Sequence, residues 1–268
     1  MEKVIKYSIQ VLIGLFPFFI YCQTTFKLEN SFSVKADFFT TDNLARIYAV
    51  NGDELRQYSP VGKQMNVYSS KTLGEISFVD ASNPLKIMLF YQSLSQVVFL
   101  DNTLSQQGDP VSLEEIGLEQ VTLVCSSVNN GIWVYNQQQF QLARLDENLR
   151  SIAETGNIIQ LIGDYVNPSF LLERKNWVYL NDPEKGILVF DIFGTYSKTI
   201  PVKNLSSFQV VENYLYYRDK TKLYKYDFKT LEISEVPLPS SEIGYLRVSK
   251  NKLLLLAENS LQVYTVEN

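Results

Sequence analysis

The chain has 268 residues, a formal net charge of −5 and no histidine. That length suits one large all-β domain or two small domains. Without histidine there is no Ser-His-Asp or Cys-His nucleophile system, no histidine general base and no histidine metal ligand; mild, dispersed acidity without a basic run argues against a nucleic-acid partner.

Residues 1–22 read as an export signal. Lys3 and Lys6 form a basic start, and the apolar run "VLIGLFPFFIYC" follows from Val11 to Cys22. A membrane span needs about 20 apolar residues, and this run is shorter and interrupted by Pro17. Cleavage after Cys22 would leave residues 23–268 as a single domain, periplasmic or secreted, with no membrane span. Two alternatives are an uncleaved amino-terminal anchor and an envelope lipoprotein acylated at Cys22. Lipoprotein leaders place small residues just before the cysteine, whereas here Phe19 and Tyr21 stand there. With Cys22 removed, Cys125 is the one thiol left, so no internal disulfide and no zinc or iron–sulfur cluster is expected. Cys125 lies in the apolar run "QVTLVCSS" and reads as a buried structural thiol.

The next segment, "TTFKLENSFSV" (Thr24 to Val34), is strand-like but has no neighbour in sequence to pair with. Six related units follow. Each opens on a strand-like run: "ADFFTT", "EISFVD", "VTLVCSS", "SFLLERK", "FQVVEN" and "YLRVSK". A hairpin comes next, with turns such as "NGDE" at Asn51–Glu54, "NDPEK" at Asn181–Lys185 and "RDKTK" at Arg218–Lys222. A more polar run, such as "QMNVYSS" or "YSKTIPV", closes the unit.

The apolar residue ending each hairpin serves as an anchor: Tyr58, Leu100, Leu145, Phe190, Tyr226 and Tyr264, spaced by 42, 45, 45, 36 and 38 residues. Three positions earlier stand Leu55, Val97, Leu142, Ile187, Leu223 and Leu261. Ten earlier stand Tyr48, Phe90, Tyr135, Leu180, Tyr216 and Leu254, and eleven earlier Ile47, Leu89, Val134, Tyr179, Leu215 and Leu253. Adjacent apolar columns point to opposite faces of one strand, so that strand must be covered on both sides. Four short strands at a period near 40 predict an all-β, six-bladed β-propeller with four-stranded antiparallel blades. The last anchor leaves no room for an outer strand, so the Thr24–Val34 segment is expected to pair with the carboxyl-terminal blade and close the ring.

Asp101, Asp146, Asp191 and Asp227 directly follow their anchors, and Ser59 and Thr265 fill the same column. Short oxygen-bearing side chains at strand ends bond backbone N–H groups two residues on, so this column reads as exit turns, not as a metal ring.

"NWVYLND" followed by "KGILVFD" (Asn176–Asp182, Lys185–Asp191) resembles the NHL-type repeat of six-bladed propellers. The resemblance implies the fold and little about activity, because propellers host many functions. Motif-borne chemistry is sparse. The 12 glycines form neither a phosphate loop nor a dinucleotide motif. Trp133 and Trp177 are the only tryptophans, which is poor for quinone stacking, and the Asp-box of sialidase propellers is absent.

Oxygen chemistry remains. The run before each hairpin should be the innermost strand, with polar residues facing the channel: Asp37, Glu75, Asp80, Glu173, Arg174, Gln209, Glu212 and Arg247. In "YLYYRDKTKLYKYDF", Tyr216, Leu223 and Tyr226 fall in buried columns, leaving Tyr217 and Tyr224 as candidate surface contacts. The expected function is a non-enzymatic binding or scaffold module of the cell envelope, with a protein or glycan partner and no cofactor. The alternative is a calcium-dependent lactonase or esterase with an acidic site at the channel mouth.

Overall fold

In the computed structural model, which describes residues 25–240 and 243–267, the repeated hairpin forms the two middle strands of every blade. The leader, Cys22 and Gln23 lie outside the described residues. Six four-stranded sheets are arranged as blades, and in five of them the antiparallel order follows the chain. The innermost strands are Phe38–Thr41, Phe78–Asp80, Val121–Ser126, Phe170–Arg174, Phe208–Val211 and Tyr245–Ser249. Blades are numbered here in that order.

The sixth blade obtains its outer strand from the other end of the chain. Thr25–Ser33 pairs antiparallel with Ser260–Glu267, with an irregularity between Leu28 and Asn30. Phe32 in this strand packs on Tyr58 of the first blade, ring centroids 5.5 Å apart. Gly62 makes room for that contact: it adopts φ +77°, and a Cβ there would run into the Phe32 ring.

The second strands explain why the apolar columns are continuous. Every residue of Ile87–Tyr91 and Ile132–Asn136 is buried, because each blade is packed between two others. The columns do not mark constant pairing, however. Tyr58 faces Ile47 and Leu100 faces Ile87, while Phe190 faces Val178. The hairpin loops differ in length, so a fixed sequence offset slides along a strand that is apolar on both faces.

The exit turns are built as the aspartate column implies. Asp101 Oδ1 accepts the N–H groups of Thr103 (2.7 Å) and Ser105 (2.9 Å). Asp146 accepts those of Asn148 and Arg150, and Asp191 those of Phe193 and Thr195, all at 2.9 Å. Asp227 accepts from Lys229 at 2.7 Å, and Ser59 Oγ from Lys63 N at 3.1 Å. Thr265 differs: its strand runs on to Glu267 to meet the closing strand, and its hydroxyl donates to Glu29 instead.

A polar side chain crosses every seam between blades. Gln57 Nε2 donates to Asn102 O (3.2 Å), and Asp80 Oδ2 accepts from Ser126 N (3.0 Å). Glu173 accepts from Ser127 Oγ (2.5 Å), and Asn181 Nδ2 donates to Leu205 O (2.7 Å). Gln209 Oε1 accepts from Val248 N (2.9 Å), and Arg247 Nε donates to Phe39 O (3.4 Å). Buried strand edges thereby find partners across the seams. Among the described residues no helix is long and apolar enough to cross a membrane.

Candidate functional site: the channel mouth and the cleft between blades five and six

Five of the six inner strands begin on an aromatic residue: Phe38, Phe78, Phe170, Phe208 and Tyr245. Since inner strands run in one direction around the axis, these rings gather at one end of the channel. Phe78 meets Phe170 edge-on at 6.2 Å, and Phe170 meets Phe208 at 5.1 Å. Phe38 lies 6.4 Å from Tyr245. Phe38, Phe78, Phe170 and Tyr245, with Leu123 from the third blade, surround a cavity of about 320 Å³, and Phe208 extends this aromatic collar from Phe170 toward the fifth blade.

A second cavity of about 440 Å³ adjoins the first, between blades five and six. The two share Ser206, Ser207, Tyr245 and Arg247. The cleft adds Tyr216, Arg218, Asp219 and Lys220 from the second strand and hairpin of the fifth blade. Three cations therefore stand against one carboxylate. Arg247 lies over the Tyr245 ring at 5.5 Å, and its Nη2 donates to the Tyr245 hydroxyl at 3.2 Å. Arg218 Nη1 donates to Ile243 O at 2.6 Å. A guanidinium carries five N–H donors. The described bonds of these two arginines use only some of them.

The sequence-selected residues divide between the two ends of the channel. Gln209 and Arg247 are brought together in the cleft. Asp37 is exposed just before the first inner strand and accepts Gly52 N at 2.8 Å, tying down a hairpin; Glu75 is exposed before the second. Asp80, Glu173, Arg174 and Glu212 lie at the opposite ends of their strands. Asp80 is 4% exposed and Glu173 5%. Glu173 accepts from Ser127 Oγ, Val128 N (3.1 Å) and Trp133 Nε1 (2.7 Å). Burial pushes the Asp80 carboxyl up, but the Arg174 charge and hydrogen bonds from Ser82 and Ser126 outweigh it, and its pKa lies below the usual 3.8. Burial pushes the Cys125 thiol well above its ordinary range, reinforced by Asp80 and Glu173, so it is protonated and unreactive.

The tyrosines exchange roles. Tyr217 is 8% exposed and stacks on half-buried Tyr224 at 5.4 Å, within the packing between blades four and five. Tyr216, expected in the core, is half-buried against the seam between blades five and six and also lines the cleft there. Neither face of this strand is free, so alternation separates two seams here, not core from solvent. The aromatic collar was absent from the sequence-derived set. Its signal is the aromatic residue that opens the strand in five of the six inner runs.

The acids do not fit a calcium site. Among the described residues no three His, Cys, Asp or Glu side chains converge on a point that could hold a metal ion. Asp80 turns its oxygens to the N–H groups of Ser82 and of Ser126 in the third blade, and Glu173 turns its own to N–H and O–H donors of the third blade, whereas calcium takes six to eight oxygens.

No family model matches the chain, and no curated protein matches it in sequence. Solved structures do. The Pan2 WD40 domain of Neurospora crassa superposes with a TM-score of 0.63 at 10% identity, covering 91% of this chain and 96% of that one. BamB from Moraxella catarrhalis gives 0.57 at 10% identity, over 90% and 100% of the two chains. Virginiamycin B lyase from Staphylococcus aureus gives 0.60 at 11% identity, over 91% and 100%, in a catalytically inactive form with a histidine replaced by alanine, bound to quinupristin. At these identities the likeness is one of fold. The chain is a six-bladed β-propeller with four-stranded blades.

Proposed function

We propose that this protein is a non-catalytic binding module, exported to the periplasm or cell exterior, that holds an extended, acidic segment of a protein partner. The segment lies across the aromatic collar with its carboxylates in the cleft between blades five and six. The observation that carries this reading is that the two cavities adjoin, with Arg247 and Tyr245 lining both. Aromatic and arginine side chains are enriched where proteins bind one another, and a guanidinium over a ring is held ready for a carboxylate. The basic, apolar leader supports export. Binding of partners is a common use of the propeller fold, with BamB and the WD40 domain among the structural neighbours.

A hydrolase of the calcium-dependent type lacks its donor set among the described residues. The lyase neighbour is inactive when one histidine is replaced, and this chain has none. Neither enzyme reading finds its chemistry here.

The test is selection of peptides from a random displayed library on immobilised protein, repeated with Arg247→Ala and Tyr245→Ala. Acidic peptides with apolar flanks are expected, and their binding is expected to fall about tenfold or more in either variant, measured at a temperature where melts show each variant to be folded, since both side chains also contact Phe39 across the seam. Peptides that bind the variants equally, or a glycan array that captures the protein where peptides do not, would overturn the reading.

A further inference from the structure

The two tryptophans have opposite situations. Trp133 is fully buried with its N–H bonded to Glu173, whereas Trp177 is 40% exposed. Trp177 begins the second strand of the fourth blade, directly after Lys175 and Asn176, both in left-handed conformations (φ +53° and +63°). That tight turn brings the indole to the rim of a groove between blades four and five, at the end of the inner strands away from the aromatic collar. The groove encloses about 450 Å³. Tyr179 and Val189, cross-strand partners in blade four, and Val210 and Phe228 of blade five make an apolar floor. Tyr179 and Phe228 lie 6.0 Å apart. Burial pushes the Tyr179 phenol up to about 12, so the floor stays neutral.

The rim is polarised. Lys175 and Lys198 stand on the blade-four side, and Glu212 and Asn213 on the blade-five side. Among the described residues neither lysine belongs to an ion pair. The volume is that of a small-molecule site, and the lining is aromatic below with few polar groups above. A flat aromatic ring can stack on the indole, place an acid group between the lysines and turn a ring N–H or O–H toward Glu212.

We infer that the groove between blades four and five binds a small aromatic carboxylate carrying a ring N–H or O–H donor. This site is separate from the channel mouth and stands independently of the peptide-binding reading. Calorimetric titration of the full exported domain with indole-3-acetate and 4-hydroxyphenylacetate tests it, with indole-3-acetamide as the uncharged control and glucuronate as the sugar acid. Saturable binding of at least one aromatic acid is expected, weakened about tenfold or more by Lys198→Gln, by Trp177→Ala and by loss of the ligand's charge. These side chains are exposed, so melting temperatures of the variants should match the parent. Arg247→Ala should bind the aromatic acids as the parent does, which separates this result from the channel-mouth test. Absence of saturation at millimolar aromatic acid, glucuronate binding as tightly, or an unchanged affinity in Trp177→Ala would overturn the inference.

Discussion

Trp133 Nε1 donates a hydrogen bond to Glu173 Oε2 at 2.7 Å across the seam between blades three and four. The same carboxylate takes Ser127 Oγ and Val128 N, so one side chain from the fourth blade satisfies three donors of the third. Removing it leaves those donors without this acceptor, and the Trp133 indole N–H among them is fully buried. Glu173→Ala is therefore expected to destabilise the domain by about 2–4 kcal/mol. Urea melts check this, with Glu75→Ala as the exposed control that should leave the midpoint unchanged. Equal midpoints for Glu173→Ala and the parent would remove the clip from the account of stability.

The contrast between those two glutamates shows what the sequence carries. The repeat was legible because second strands such as Ile132–Asn136 are buried on both faces, and apolar columns survive even where the hairpin length changes. The exit turns were legible because an aspartate after a strand bonds locally, whatever surrounds it. The facing of a polar inner-strand residue was not legible. In a propeller each inner strand has an axis on one side and neighbouring blades on the others, and Glu173 and Gln209 turn to the neighbour. The collar of Phe38, Phe78, Phe170, Phe208 and Tyr245 was written in the chain, but its distance from the hairpin anchors varies with loop length. A comparison at constant offset passes over it.

Asp80 links stability to pH. Its folded pKa lies below the unfolded value, so the unfolded chain takes up a proton more readily as acid is added. The stabilisation is present above the unfolded value of 3.8 and is lost as pH falls through the lower folded one. Asp80→Asn cannot accept from both Ser82 N and Ser126 N as the carboxylate does. The variant is expected to melt well below the parent at neutral pH, by about 2 kcal/mol, with the gap narrowing as pH falls below 3.8 and the parent's carboxyl protonates. Thermal melts across that range decide it, and a gap that stays constant with pH would assign the effect to packing alone.

The stacked pair Tyr217 and Tyr224 lies within a seam, so its substitution should be felt as stability. Tyr217→Ala removes a ring that is nearly buried and is expected to cost about 3 kcal/mol, while Tyr217→Phe keeps the ring and should be close to neutral. Tyr216→Ala should have the smaller effect on melting. Denaturant titrations of the three variants provide the comparison, and the reverse ranking would place the wrong tyrosine in the seam.

Ring closure depends on a strand more than two hundred residues distant from its partner in sequence. Thr25–Ser33 pairs along the whole of Ser260–Glu267, and Lys252 and Thr265 both bond the Glu29 carboxylate from the neighbouring strands. Phe32 then reaches beyond its own blade to Tyr58 and the Gly62 turn. Deleting residues 25–33 exposes the edge of the last strand and the apolar side of Leu261 and Val263, which are buried in the packing against the first blade. The deletion is expected to lower the melting temperature of the whole domain and to promote self-association, as the open edge recruits a strand from a second copy. Phe32→Ala tests the same joint without opening the sheet. Its ring is only partly buried, so the expected loss is about 2 kcal/mol, below that of a fully buried phenylalanine. Gly62→Ala should fall in the same direction, since the new methyl strains a left-handed turn and meets the Phe32 ring. In the Phe32→Ala background that steric part should vanish, leaving only the backbone strain. A double-mutant cycle read by chemical denaturation measures the coupling, and two losses that simply add would show that the closing strand and the first-blade turn do not support one another.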